Sequence, residues 1–327
     1  METPKTLQRA IQHFSDEQTC IDTVARMRWP NGPLCPACGH KEHWYLSGQK
    51  RWKCKECHKQ FTVKLGTVFE DSPIPLHKWL PALWMLVNCR NGISSYEIAR
   101  DLGVSQKAGW FMLQRLRLAL RDGSIEKMGG GENSEVEIDE AFIGGKVSNM
   151  HSRKRNRLVR ESGNSNVGSL NKTVVIGFLD REARKIRTQI IPNTSRATLQ
   201  AQVLKHVAED SNVYTDEAPG YNKLRENFVH EIVNHTQQYV RGRVHTNGLE
   251  NFWSLLKRGL NGTYVAVEPF HLHRYLDEQA FRFNNRKGDD GRKLDDAARF
   301  ELALSQIAGK RLTFAEVTGK VGESAAF

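Results

Sequence analysis

Four cysteines in two pairs place the tightest limit on what this chain can become. The stretches "CPACGH" and "CKECHKQF" give Cys35, Cys38, Cys54 and Cys57, spaced C-x2-C, fifteen residues, then C-x2-C. Each C-x-x-C turns two thiolates back onto one ion, and the two pairs complete a closed tetrahedron, the spacing of a zinc ribbon. A closed tetrathiolate leaves no position open for a substrate, so one structural Zn2+ is expected. The surrounding segment has little apolar mass, so the metal is expected to drive its folding. His40 and His58 stand as alternative ligands. Cys20 and Cys89 have no partner pattern and read as ordinary core residues.

The 327 residues leave room for two or three domains. A net charge of +11 and a pI near 9.4 suit a polyanionic partner, nucleic acid first. The N-terminus is polar and carries acids, unlike a secretory leader. The longest apolar stretch, "WLPALWMLV", is too short to span a bilayer. These features predict a cytoplasmic protein with no membrane partner and no small-molecule substrate. In that compartment six cysteines indicate metal rather than disulfides.

Residues 1–70 hold the cysteine cluster behind an N-terminal helix. Residues 71–125 read as helical, the Gly-rich 126–134 as a linker, 135–290 as a larger mixed domain and 291–327 as a C-terminal helical tail. Within "GISSYEIARDLGVSQKAGWFMLQRLRLAL", Ser94 or Ser95 can cap one helix and Ile98, Ala99 and Leu102 form its inner face. Gly103 supplies the turn, and Ser105 caps a second helix bearing Gln106, Lys107, Gln114, Arg115 and Arg117. This is a helix-turn-helix pattern whose second helix can enter a major groove. A plain helical hairpin is the alternative.

In the third segment, "EVEID" alternates, with Glu135, Glu137 and Asp139 on one face and Val136 and Ile138 on the other. "TVVIGFLD" and "KIRTQIIP" read as a hairpin. A helix capped by Thr194 or Ser195 follows, then "NVYTD", another helix, the strand "FVHEIV" and a last helix. That order predicts an α/β domain with a mixed five-stranded sheet and flanking helices. Asp139 and Asp216 stand at strand ends, where open α/β sheets place their sites. A lone strand-end Asp is equally a turn former. In "NGLENFWSLLKRGL", Leu249, Trp253, Leu256 and Leu260 make the buried stripe, with Phe252 beside it. Glu250 and Lys257 border that stripe on one side, about 20° apart. On spacing alone they read either as a solvated pair or as a metal-binding acid with a phosphate-binding lysine.

The order of zinc ribbon, helix-turn-helix and acids resembles bacterial insertion-sequence transposases with an RNase H-like DDE domain. "VEIDEAFIGGK", "VYTDEAPGY", "VNHTQQYVRGRVHTNGLENFWSLLKRGLNGTY" and "HLHRYLDEQAFRFNNR" carry the resemblance. It implies that Asp139, Asp216 and Glu250 are the catalytic triad and that Lys257 is the basic residue found seven after the glutamate. Asn251 is the alternative third ligand, since some relatives use asparagine there. The pattern departs at Val265, where many relatives carry histidine. Hard carboxylate oxygens suit two Mg2+ or Mn2+ ions, and the residues by themselves reach metal-dependent phosphodiester chemistry. The resemblance adds binding of an element's terminal inverted repeats, hydrolysis freeing a 3′-hydroxyl, and transfer of that end into target double-stranded DNA, with a homodimer or higher assembly on the DNA.

Candidate DNA contacts are Arg241, Arg243, His245, Asn247, Lys257 and Arg258 around the last acid, and Gln106 and Lys107 on the second helix. His245 can instead cap or pack. "SRKRNRLVR" adds Arg153, Lys154 and Arg155 in a stretch that reads as a solvated loop or a phosphate-holding one. Two rival functions remain open on sequence: a DNA-binding regulator derived from a transposase, and a hydrolytic RNase H-like nuclease.

Overall fold

The computed structural model describes residues 3–131, 134–145, 149–162, 172–216, 219–221, 224, 228–233, 244–288 and 290–320. The chain divides into two compact units. One joins Met1–Asp122 to Asn285–Phe327, and the other is Gly123–Asn284. No helix among the described residues is long and apolar enough to cross a membrane.

The first unit opens with helices α1 (Leu7–His13) and α2 (Glu17–Arg28), capped by Thr6 and Asp16. Strands β1 (His43–Leu46), β2 (Arg51–Cys54) and β3 (Gln60–Phe61) form an antiparallel ribbon. The two C-x-x-C turns have the same geometry. The Cys35 N–H donates to the His40 carbonyl and the Cys54 N–H to the Lys59 carbonyl, each at 3.0 Å. Gly39 and His58, at equivalent places, both take positive φ. The four sulfurs lie within 4.8 Å of one another. A zinc tetrathiolate with Zn–S bonds of ~2.3 Å has edges of about 3.8 Å, so the donor set fits one Zn2+. Trp52 stacks on Phe61, the edge of Trp29 meets both, and Tyr45 packs on Trp52, a small aromatic cluster for the whole ribbon.

Helix α3 (Leu76–Asn88) is apolar nearly all round, as a helix covered by neighbours should be. Helices α4 (Ser95–Leu102) and α5 (Gln106–Ala119) make the helix-turn-helix. Ser94 and Glu97 form a capping box, Gly103 ends α4 in the left-handed region, and Ser105 caps α5. Gly109 is required where the helices cross, because a Cβ there would stand 2.9 Å from the Ser95 carbonyl. One expectation changes. Gln114, Arg115 and Arg117 are buried, so they serve packing rather than a groove. Arg115 lies against the Trp79 and Phe111 rings. Gln106 and Lys107 remain exposed.

The second unit carries β4 (Glu135–Ile143), α6 (Ser152–Ser162), β5 (Thr173–Asp180), β6 (Lys185–Ile191), α7 (Arg196–His206), β7 (Asn212–Asp216), β8 (Val229–Val233), α8 (Asn247–Gly259) and α9 (Leu272–Asn284). The sheet order is β6-β5-β4-β7-β8, with β4, β7 and β8 parallel and β5 antiparallel to both neighbours. This is the RNase H-like arrangement. Val136, Ile138 and Phe178 face α7, while Val175 and Leu179 face α8 and α9. The expected helix after β7 falls largely outside the described residues; a single 3-10 turn, Pro219–Tyr221, is seen. The basic run 152–160 is a helix, not a loop. Arginine, lysine and leucine favour that conformation, which the polar flanks obscured. The Gly-rich stretch is tied down as well: Met128 bridges Val207 and the Gly129 N–H donates to Asp180.

The chain then returns to the first unit with α10 (Asp296–Ser305) and the short α11 (Phe314–Val317). Phe300 meets Phe14 at 5.5 Å, and Asn88 and Arg299 tie α10 to the end of α3. The described part of the C-terminal segment, 291–320, therefore contributes to the first unit's core. Because the ribbon has so little apolar core, Cys38→Ser or stripping with a strong chelator should unfold residues 35–61, read as loss of one equivalent of bound zinc and fast proteolysis there. The circular-dichroism signal of the second unit should persist.

Candidate active site

Parallel pairing brings the first two acids together. Glu137 of β4 is in register with Tyr214 of β7, and two residues further along each strand stand Asp139 and Asp216. Helix α8 packs on this face through Leu249, Phe252, Trp253 and Leu256, and its first turn presents Glu250 to solvent. The three acids share one neighbourhood. Burial first, then the charge of Asp216 and, more weakly, that of Glu250 push the Asp139 carboxyl up to about 6. Two donors oppose the rise: the Glu140 N–H at 2.8 Å and the Trp253 indole N–H at 3.0 Å.

Trp253 reaches Asp139 because β5 carries a glycine opposite it. Gly177 pairs with Asp139, and a Cβ on Gly177 would stand 2.7 Å from the Trp253 ring. The helix stripe thus does more than fill the core. A fourth carboxyl, Glu140, was not singled out by the sequence pattern. Burial, then Asp216 and Asp139, push it up to about 8. It faces away from Asp139 across the sheet and accepts from the Tyr221 hydroxyl. With Phe142, Thr194, Arg196, Leu199 and Asp216 it lines an open hollow.

The start of α8 is held by charge. The Glu137 carboxylate, 1% exposed, accepts from the Leu249 N–H at 3.0 Å and from Arg181 Nε at 2.7 Å. Arg181 also donates to the His245 carbonyl at 2.6 Å and to His245 Nδ1 at 2.8 Å. An accepting Nδ1 puts the ring proton on Nε2, so the 3.5 Å approach of Nδ1 to Glu137 is not an ion pair. His245 therefore has a structural partner, a possibility the sequence left open. After α8 the chain makes a π-turn, Leu260–Tyr264, and a tight turn at Val265 with φ +60°. A β-branched residue is strained there.

Asn247, Lys257 and Arg258 are exposed on α8, and Arg153 and Arg155 on α6. Gln106 donates to Ser95, and the Lys107 ammonium sits 4.7 Å over the Phe314 ring. Arg241, Arg243 and the Lys154 side chain lie outside the described residues.

Residues 129–284 match the ISXO2-like transposase domain and residues 15–60 the transposase zinc-ribbon domain. A protein of the transposable element ISH50 of Halobacterium salinarum is 28% identical over 276 residues, 81% of this chain and 90% of that protein. A transposase-like protein of Haemophilus influenzae is 35% identical over 102 residues, 31% of this chain and 82% of that protein. The catalytic core domain of BIV integrase aligns at a TM-score of 0.31 and 12% identity, covering 50% of this chain and 91% of that one. The fold assignment rests on the strand order above rather than on that alignment.

Trp253→Phe keeps most of the buried ring but removes the donor to Asp139. A hydrogen bond to a charged group contributes roughly 1.5–3 kcal/mol. The Asp139 carboxyl should then titrate higher still, measurable by carbon-detected NMR of labelled aspartate.

Proposed function

Since the chain belongs to the ISXO2-like transposase family, we propose that it binds the ends of an insertion element, cleaves them, and joins them to target DNA at one two-metal site. The observation that carries this reading is the grouping of Asp139, Asp216 and Glu250, close enough for two of them to raise the third carboxyl. Clustered carboxylates repel one another unless cations sit among them, and their hard oxygens suit Mg2+ or Mn2+. Asp139, Asp216 and Glu250 would hold two such ions, which supply activation of the attacking oxygen and stabilisation of the leaving one.

In the first step a water oxygen bonds to the phosphorus at the element end. The P–O3′ bond breaks, and the leaving oxygen takes a proton to become a 3′-hydroxyl. In the second step that hydroxyl attacks a phosphodiester of target DNA, and the displaced target 3′-oxygen takes up the proton. Lys257 and Arg258, in the last turn of α8, would meet the strand's phosphates. Gln106 and Lys107, exposed at the start of α5, are the residues of the helix-turn-helix placed to read the element ends. The basic helix α6 would add non-specific phosphate contacts. Pairing two ends calls for at least a dimer on DNA, in the compartment where DNA lies.

Cleavage and joining of labelled element-end DNA with Mg2+ tests this directly. Glu250→Gln should lose both reactions by more than ~100-fold while still binding DNA. Cleavage without joining in the wild type would make it a hydrolytic nuclease. Specific binding with neither reaction would make it a regulator.

The carboxyl shifts give a second test. Asp139 and Glu140 hold protons more tightly folded than unfolded, so they favour folding at low pH, and that contribution is withdrawn as pH rises through about 6 and about 8. A divalent cation can replace the lost protons. Mg2+ or Mn2+ should therefore raise the melting temperature more at pH 8 than at pH 5. In Asp139→Asn/Glu140→Gln that difference should largely vanish, as read by differential scanning fluorimetry.

A further inference from the structure

We propose that the buried Glu137 and the half-buried Arg181 form a clamp that positions Glu250 for metal binding, an assignment that rests on the functional reading above. Helix α8 starts without a cap from its own sequence, since the Thr246 side chain makes no capping bond. The capping role passes to a carboxylate from the neighbouring sheet. Glu137 Oε2 accepts from the Leu249 N–H, one residue before Glu250. Its other oxygen is held by Arg181 Nε. The same guanidinium reaches the His245 carbonyl, so it ties β4 to the backbone leading into α8. Gly248 allows the close approach: a Cβ there would stand 2.9 and 3.1 Å from the two Glu137 oxygens and 2.3 Å from a Leu179 methyl.

The clamp touches every element that carries an acid. Glu137 lies two residues before Asp139 on β4. Tyr214, whose ring lies 4.6 Å from the Arg181 guanidinium, is two residues before Asp216 on β7. Leu249 is the residue before Glu250. A displacement of Arg181 would thus move the helix acid relative to the two strand acids. Glu137 and Arg181 touch no reacting atom in this scheme, so both are positioning residues. The planar fork of arginine makes both contacts at once, and lysine cannot.

The test uses the full-length protein, with cleavage of element-end DNA measured against Mg2+ concentration for the wild type, Arg181→Lys, Glu137→Gln and Glu250→Gln. Residues that orient a metal ligand alter metal affinity or rate by about 10–100-fold. Arg181→Lys should raise the Mg2+ needed for half-maximal rate by at least about tenfold and lower kcat, with KM for DNA changed less than about twofold. Melting curves taken beside each assay separate this from unfolding: a purely structural residue lowers the folded fraction and leaves its Mg2+ dependence alone. Glu137→Gln keeps an oxygen for the Leu249 N–H and serves where Arg181→Lys fails to fold. Wild-type kcat and Mg2+ dependence in a folded clamp variant, with Glu250→Gln inactive, would overturn the clamp alone. An active Glu250→Gln would remove the functional reading and the clamp together.

Discussion

Crowding of like charge governs the second unit. Asp139, Glu140, Asp216 and Glu250 gather around the ends of two parallel strands, and burial weakens the hydration of Asp139 and Glu140. Such a group is tolerated only with protons, donors or cations among it. Among the described residues, an indole N–H, a backbone N–H and a tyrosine hydroxyl donate to Asp139 and Glu140. On the functional reading, a divalent cation among these oxygens would lower their mutual repulsion.

That constraint explains features that look unrelated one by one. Gly177 exists so that Trp253 can lie against β5 and reach Asp139. Gly248 exists so that α8 can approach a buried carboxylate. Arg181, the half-buried arginine described beside these acids, does not bond to Asp139. Its guanidinium is held on Glu137, two residues before Asp139.

Much of this was readable in advance because it is local. The two cysteine pairs, the Ser94 and Ser195 caps, the β5–β6 hairpin and the α8 stripe each depend on residues within one or two turns of each other. What escaped depends on partners far along the chain. Glu137 looked like one more acid of an alternating strand, yet its partners are 44 and 112 residues away. Trp253 read as core, and it is core, but its nitrogen finds an acid 114 residues back. Gln114, Arg115 and Arg117 suggested a groove-reading surface because polarity was taken for exposure. The helical form of 152–160 was hidden by the opposite error, charge being taken for irregular chain.

The discontinuity of the first unit has a consequence for how the protein is made. Helix α3, with ten of its thirteen residues buried, is covered in part by α10. Asn88 and the Asp296 it bonds are 208 residues apart. At roughly 5–20 residues per second, a ribosome needs about 10–40 s to deliver that cover. During this interval the intervening unit emerges whole and can fold, while the first unit waits with the α10-facing side of α3 uncovered. Completion of the first unit is thereby deferred to the end of translation, and a nascent or truncated chain carries the acids beside an unfinished first unit.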